Sequence, residues 1–180
     1  MGQYYKVVIL AENGTTKKDY IRFYIDIWCG MKLLEHSYLK NDFVNTIEYL
    51  LSPFGSFYKS RIVWAGDYAD VEKDSNMNFY TITDCDDESD KVYRPKRMLL
   101  DEEYIYIVNH TKKQFIDKSK YLIINPLPLI TAEGNGRGGG DYYGSNEQLI
   151  GSWSRDVISI EKEVPDDFSE FTSKFGEDKC

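Results

Sequence analysis

Eight consecutive residues, Gly134-Asn135-Gly136-Arg137-Gly138-Gly139-Gly140-Asp141, combine five glycines with one arginine and one aspartate. Successive backbone N–H groups unshielded by side chains can form a nest for an anion, and a guanidinium adds a planar, bidentate donor, so the chemistry on offer is the holding of a phosphate or another small anion. Ordering so many glycines gives up much conformational entropy, which a bound ligand or tight packing must offset. The spacing is that of neither common phosphate loop: Gly-x-x-x-x-Gly-Lys-Ser/Thr is absent, and Gly136-x-Gly138-x-x-Asp141 lacks the third glycine. Two readings stay open, an anion or nucleotide cradle and a surface loop or bulged turn.

Two further groups could do chemistry. In Trp64-Ala65-Gly66-Asp67-Tyr68-Ala69-Asp70 a strand running into Gly-Asp-Tyr can set a carboxylate (Asp67) and aromatic faces (Trp64, Tyr68) at a sheet rim, where a base or a sugar could be received. The alternative is a turn whose aspartate caps backbone N–H groups while Trp64 fills the core. Lys32, Glu35 and His36 bring a cation, a carboxylate and an imidazole within five residues. On a helix Lys32 and His36 share a face, and His36 could act as a general base tuned by its neighbours. The alternative is a polar surface rim, since neither histidine has a companion at metal-ligand spacing. No metal and no cofactor is assigned, and the acidic stretch Asp84 to Asp90 lacks the spacing and the glycine of a calcium loop.

These groups need elements to position them. Tyr4 to Ala11 and Tyr20 to Trp28 read as a hairpin of strands, the second alternating Ile21, Phe23, Ile25 and Ile27 against Tyr20, Arg22, Tyr24 and Asp26. Phe43, Val44, Ile47, Leu50 and Leu51 recur at helical spacing behind an Asn41/Asp42 cap and stop before Pro53 and Gly55, which predicts a helix over Asp42 to Leu51. Strands are predicted over Arg61 to Ala65, Asn78 to Thr83, Tyr121 to Asn125 and Leu149 to Glu161, and a second hairpin joins Tyr104 to Val108 with Gln114 to Asp117. Pro165 and Asp166 open a C-terminal segment in which Phe168, Phe171 and Phe175 fall on one helical face. Once one residue is skipped, a short internal echo sets Phe54-Gly55-Ser56-Phe57-Tyr58-Lys59-Ser60-Arg61-Ile62-Val63 against Ile150-Gly151-Ser152-Trp153-Ser154-Arg155-Asp156-Val157-Ile158, each placing Gly-Ser-aromatic and a basic residue before a β-branched strand; local convergence and an ancient duplication both account for it.

Length and composition bound the class. A chain of 180 residues, 42% hydrophobic and 29% charged, suits one ordinary domain with a sizeable core. The 15% aromatic content favours strands. A net charge of −8 disfavours general nucleic-acid binding, although Arg94, Lys96 and Arg97 could form a local basic patch. No run approaches the ~20 apolar residues of a membrane span, and the first residues do not read as a signal peptide. Cys29, Cys85 and Cys180 match neither a disulfide framework nor a zinc pattern. The expectation is a soluble, intracellular protein without membrane partners.

Met1-Gly2-Gln3-Tyr4-Tyr5-Lys6, Lys32-Leu33-Leu34-Glu35-His36-Ser37, Trp64-Ala65-Gly66-Asp67-Tyr68-Ala69-Asp70, Tyr106-Ile107-Val108-Asn109-His110-Thr111-Lys112-Lys113 and Gly134 to Asp141 together resemble an uncharacterised family of small proteins of bacteria, phages and large DNA viruses. The resemblance covers most of the chain; it implies a shared fold and carries no established activity. In many bacterial members the glycine loop directly precedes the counterpart of Ile62 to Asp70, whereas here it precedes Ile150 to Glu161, so loop and strand look like one unit.

The expected architecture is a single α+β domain over residues 1–180, a mainly antiparallel twisted sheet with one main helix and a short C-terminal amphipathic helix. The expected function is binding of a small anionic or nucleotide-like ligand by Gly134 to Asp141 together with Trp64, Asp67, Tyr68, Lys32, Glu35 and His36, gathered on one rim of the sheet. The alternative is a protein-interaction or structural role, as a viral accessory or virion component, with localisation to the cytoplasm, the host cytoplasm or the virion. No recognisable catalytic constellation assigns an enzyme activity.

Overall fold

The computed structural model describes residues 3–11, 21–25, 31–73, 75–85, 91–134 and 147–172. In chain order these form β1 (Tyr5–Leu10), β2 (Ile21–Ile25), α1 (Leu33–Ser37), α2 (Asp42–Leu51), β3 (Ser60–Gly66), α3 (Phe79–Cys85), β4 (Val92–Tyr93), β5 (Tyr106–Asn109), β6 (Gln114–Asp117), α4 (Pro126–Ile130), β7 (Ala132–Glu133), β8 (Val157–Glu161) and β9 (Ser169–Glu170). All the strands join one sheet in the order β4-β2-β1-β3-β8-β5-β6-β9, with β7 also beside β3.

The fold is α+β with a mixed sheet. Its antiparallel pairings include the two expected hairpins, while β4, β7 and β9, each two residues long, pair in parallel with β2, β3 and β6. One face carries Val7, Ile9, Ile62, Trp64, Ile107, Ile158 and Ile160 against Phe43, Ile47 and Leu51 of α2 and Leu127 and Ile130 of α4. The other carries Val8, Leu10, Val63 and Ala65 against Phe79 and Ile82 of α3. Lys6, fully buried on that second face, places its ammonium 4.2 Å from the centre of the Tyr80 ring and 2.5 Å from the Asp84 carboxylate, which anchors α3 to β1.

Several expectations are corrected. The described residues hold four α-helices rather than one main helix. Asn78 to Thr83 enters a helix because the Asn78 side chain accepts the Thr81 N–H at 2.9 Å, an N-terminal cap that overrides the strand-like Phe-Tyr-Thr-Ile-Thr pattern. Tyr121 to Asn125 supplies only a single bridge, Tyr38 to Ile124, before Asn125 caps α4. Of Leu149 to Glu161, only Val157–Glu161 is strand. No helix follows Pro165 among the described residues: Ser169 and Phe171 donate to the carbonyls of Lys113 and Phe115, making β9, while Phe168 packs on His110 and Phe171 on Trp153. A register shift between Ile9 and Leu10 also breaks the alternation of β2, so Ile21 joins the α3 face while Phe23 and Ile25 stay with the main core.

Candidate functional site

The site begins where β3 changes partner. Ser60 and Arg61 pair antiparallel with Ile158 and Val157, whereas Trp64 and Ala65 pair in parallel with Ala132 and Glu133. At the handover the Arg155 N–H donates to the Ile62 carbonyl at 2.9 Å, and Trp64 donates to Thr131 at 2.9 Å. Arg155 sits at φ 64, a left-handed conformation that costs a residue with a side chain about 1 kcal/mol or more. That turn bends the chain away from β3 and leaves the rest of the same edge to β7. Between the end of β7 and the turn before β8 lies a cavity of about 420 Å³, bounded by residues 70–73, by Glu133 and Gly134, by Gly151, Ser152, Ser154 and Arg155, and by Lys112 from the β5–β6 turn.

Its charge is arranged around Arg155. The guanidinium donates to Glu72 Oε1 at 2.6 Å and Oε2 at 3.0 Å, and to Glu133 Oε1 at 2.5 Å and Oε2 at 2.6 Å. Ser154 donates a further bond to Glu133 Oε1 at 2.6 Å. Phe79 lies against the guanidinium, its ring centre 4.6 Å away. Burial works against the charge, but the hydrogen bonds to Glu133 and Glu72 outweigh it and hold the group above its usual value. On the neighbouring wall the Lys112 ammonium bonds the Ser152 carbonyl and, at 2.9 Å, Asp156, whose carboxylate also accepts from Asn109 at 2.8 Å. The Ser152 hydroxyl is buried and makes no hydrogen bond.

Of the residues expected from sequence, Gly134 lines this cavity. Asn135, Gly136, Arg137, Gly138, Gly139, Gly140 and Asp141 lie outside the described residues, as therefore does any distance to Arg137. Trp64, Asp67, Tyr68, Lys32, Glu35 and His36 do not line it. Trp64 is wholly buried in the main core. Asp67 extends the β1–β3 ladder, its N–H donating to the Tyr4 carbonyl at 2.9 Å and its carboxylate accepting the Tyr4 N–H at 3.0 Å, and Tyr68 is exposed beside it. Gly66, just before, approaches β7 so closely that an added Cβ would stand 2.8 Å from the Glu133 carbonyl. Glu35 folds back to accept the Lys32 N–H at 2.7 Å, the capping contact that starts α1.

His36 is wholly buried, edge-on to Phe43 at 5.1 Å and to Trp64 at 5.8 Å, and neither ring nitrogen makes a hydrogen bond of ordinary geometry. Burial lowers its pKa to about 4, opposed weakly by the Met31 backbone. Above pH ~6.5 both the folded and the unfolded chain hold the imidazole neutral; as pH falls towards 4 the unfolded chain takes up a proton that the folded chain refuses, so stability drops. Denaturant melts between pH 7 and pH 4 are expected to show a loss of about 3 kcal/mol that is absent in His36→Leu. An equal loss in that variant would assign the effect to other groups. His110, half-buried, bonds the Ser159 hydroxyl at 2.7 Å, and that hydroxyl donates to Glu161 at 2.7 Å; burial, with Lys59 nearby, lowers its pKa against the pull of Glu161.

Sequence reasoning did not select Glu72, Lys112, Glu133 or Arg155, yet one signal was present. Read without the skipped residue, the internal echo puts Gly55, Ser56, Phe57 and Lys59 opposite Gly151, Ser152, Trp153 and Arg155. Lys59 and Arg155 both have positive φ, at 54° and 64°, Phe57 and Trp153 are both buried, and the strands that follow pair with each other. The basic residue of the echo thus marks a left-handed entry into a strand. Comparison with family models, with curated proteins and with solved structures finds no match to this chain. No helix among the described residues is long and apolar enough to cross a membrane.

Proposed function

We propose that this protein is a binding module for a small anionic or nucleotide-like ligand, held in the cavity between β7 and the turn before β8. The observation that carries the reading is that Gly134, the first glycine of the glycine-rich segment, lines the same cavity as Lys73 and Lys112. The volume, about 420 Å³, suits a small molecule, and the lining groups sit at the ends of elements, where a rigid scaffold presents functional side chains. Local lysines are able to attract a small anion despite an acidic surface, whereas an extended polyanion would meet the overall repulsion.

A thermal-shift screen of the full chain against mononucleotides, dinucleotides, inorganic phosphate and small dicarboxylates tests this. A ligand at 100 times its Kd is expected to stabilise by about 2.7 kcal/mol, raising Tm by roughly 5–11 °C in a domain of this size. The shift should shrink in Lys112→Gln, and in Arg137→Ala if the loop arginine belongs to the site. A screen in which no compound raises Tm counts against the reading.

A second reading, a protein-interaction or structural role such as a viral accessory or virion component, is favoured by one surface. Tyr38, Leu122 and Ile123 are 49, 89 and 55% exposed, and the Tyr38–Ile124 bridge with the Leu39–Ile123 hydrogen bond holds their segments side by side. Native mass spectrometry that shows only a monomer would argue against self-assembly through it.

A further inference from the structure

We propose that the ligand of this cavity is a phosphorylated polyol of the sugar-phosphate or ribonucleotide kind, its hydroxyls read by Glu72 and Glu133 and its anionic group lying towards Ser152 and Lys112. This rests on the reading of the cavity as a binding site and assigns the chemistry of its two ends. A guanidinium has five N–H donors. Four are spent on Glu72 and Glu133, and Phe79 lies against the group, so Arg155 is not a fork waiting for an anion. It fixes two carboxylates in place as acceptors.

Counting lone pairs shows what those carboxylates still need. Each oxygen offers two acceptor positions. Glu133 Oε1 accepts from both Arg155 and Ser154 and is full, while Glu133 Oε2 and both oxygens of Glu72 accept one protein donor each. A ligand at this end must therefore bring hydrogen-bond donors, which hydroxyl groups do and a bare anion does not. A divalent cation fits poorly, because Arg155 already occupies the space between the carboxylates, and among the described residues no group of three metal-ligating side chains is placed to hold an ion.

The other end has the opposite need. The Ser152 hydroxyl is buried without a partner, an arrangement proteins avoid unless something else satisfies the group. The backbone N–H of Ser152 is already used by the Leu149 carbonyl, so the hydroxyl is the donor that Ser152 has left. Lys112, bonded to the Ser152 carbonyl and to Asp156, keeps one N–H beside it, its charge shared with the Asp156 carboxylate. An acceptor-rich group such as a phosphate complements that corner, and one molecule carrying hydroxyls and a phosphate complements both.

Isothermal titration of the full chain with ribose 5-phosphate, n-butyl phosphate, ribose and inorganic phosphate separates the ends. Ribose 5-phosphate is expected to bind most tightly, with n-butyl phosphate, which lacks the hydroxyls, at least about tenfold weaker. Ser152→Ala should weaken ribose 5-phosphate by about tenfold without lowering Tm, and should leave ribose unchanged. Glu72→Gln should bring ribose 5-phosphate down towards n-butyl phosphate; if that variant melts early, Ser152→Ala decides. Equal binding of the two phosphates would overturn the polyol assignment and leave the anion-binding reading standing. Failure of all four to bind would overturn this inference, and the broader reading would then stand or fall on the nucleotide and dicarboxylate screen.

Discussion

Replacing Arg155 by alanine is expected to lower stability by about 3 kcal/mol, because it leaves two carboxylates side by side with their shared cation gone. The three side chains are 31, 13 and 18% exposed for Arg155, Glu72 and Glu133, buried enough that water compensates only in part. The loss should be smaller in Arg155→Gly. Both variants break the ion pairs, but glycine accepts the φ of 64 that alanine resists, so the glycine variant should recover about 1 kcal/mol. Urea melts of the two variants provide the comparison. Equal stabilities would mean that the left-handed turn is not retained, and a loss below about 1 kcal/mol in both would mean that the ion pairs contribute no more than a surface contact does.

The second large effect is expected at Glu48, a buried carboxylate on α2. Its two oxygens accept from Lys118 at 2.8 Å and from Asn125 at 2.7 Å, and Asn125 in turn caps α4 by accepting the Leu127 N–H at 3.0 Å. One side chain thus ties α2 to the end of β6 and to the start of α4. Glu48→Ala removes the acceptor from a lysine only 14% exposed, and should cost about 3–5 kcal/mol. Replacing Glu48 and Lys118 together by methionine should restore much of that loss, because no charge is then left unpaired. A double variant no more stable than Glu48→Ala would show that Asn125 and the α4 cap, rather than the ion pair, carry the effect.

What the sequence made legible follows the strength of its local signals. The α2 helix, capped by Asn41 and patterned over ten residues, and the two hairpins stood out because each repeats its own period several times. α3 was hidden because Phe-Tyr-Thr-Ile-Thr alternates like a strand, and only the Asn78 cap and the apolar face of β1 and β3 make it a helix. α4, Pro-Leu-Pro-Leu-Ile, has the proline that suits a first turn, but five residues are too few to show a period. The cavity was less legible still. Glu72, Lys112, Glu133 and Arg155 come from four separate segments, and nothing local says that β3 will change partner between Arg61 and Trp64. The echo of Lys59 in Arg155 was visible, but its meaning is a backbone conformation, which residue types alone do not display.

Among the described residues the sheet ends on each side in a two-residue strand, and this bears on what its edges offer to another chain. A sheet edge offers a row of unpaired N–H and C=O groups on which another chain can lay a strand, and natural edges are blunted by being short and charged. β4 and β9 are both short, and the β9 side adds ion pairs of Lys113 with Asp167 and of Lys120 with Glu170 at its margin. Behind β9 stands β6, with Phe115 and Ile116 in a regular ladder. The few residues around Ser169 therefore serve as a guard strip: without them the β6 edge would be open to pairing with another strand.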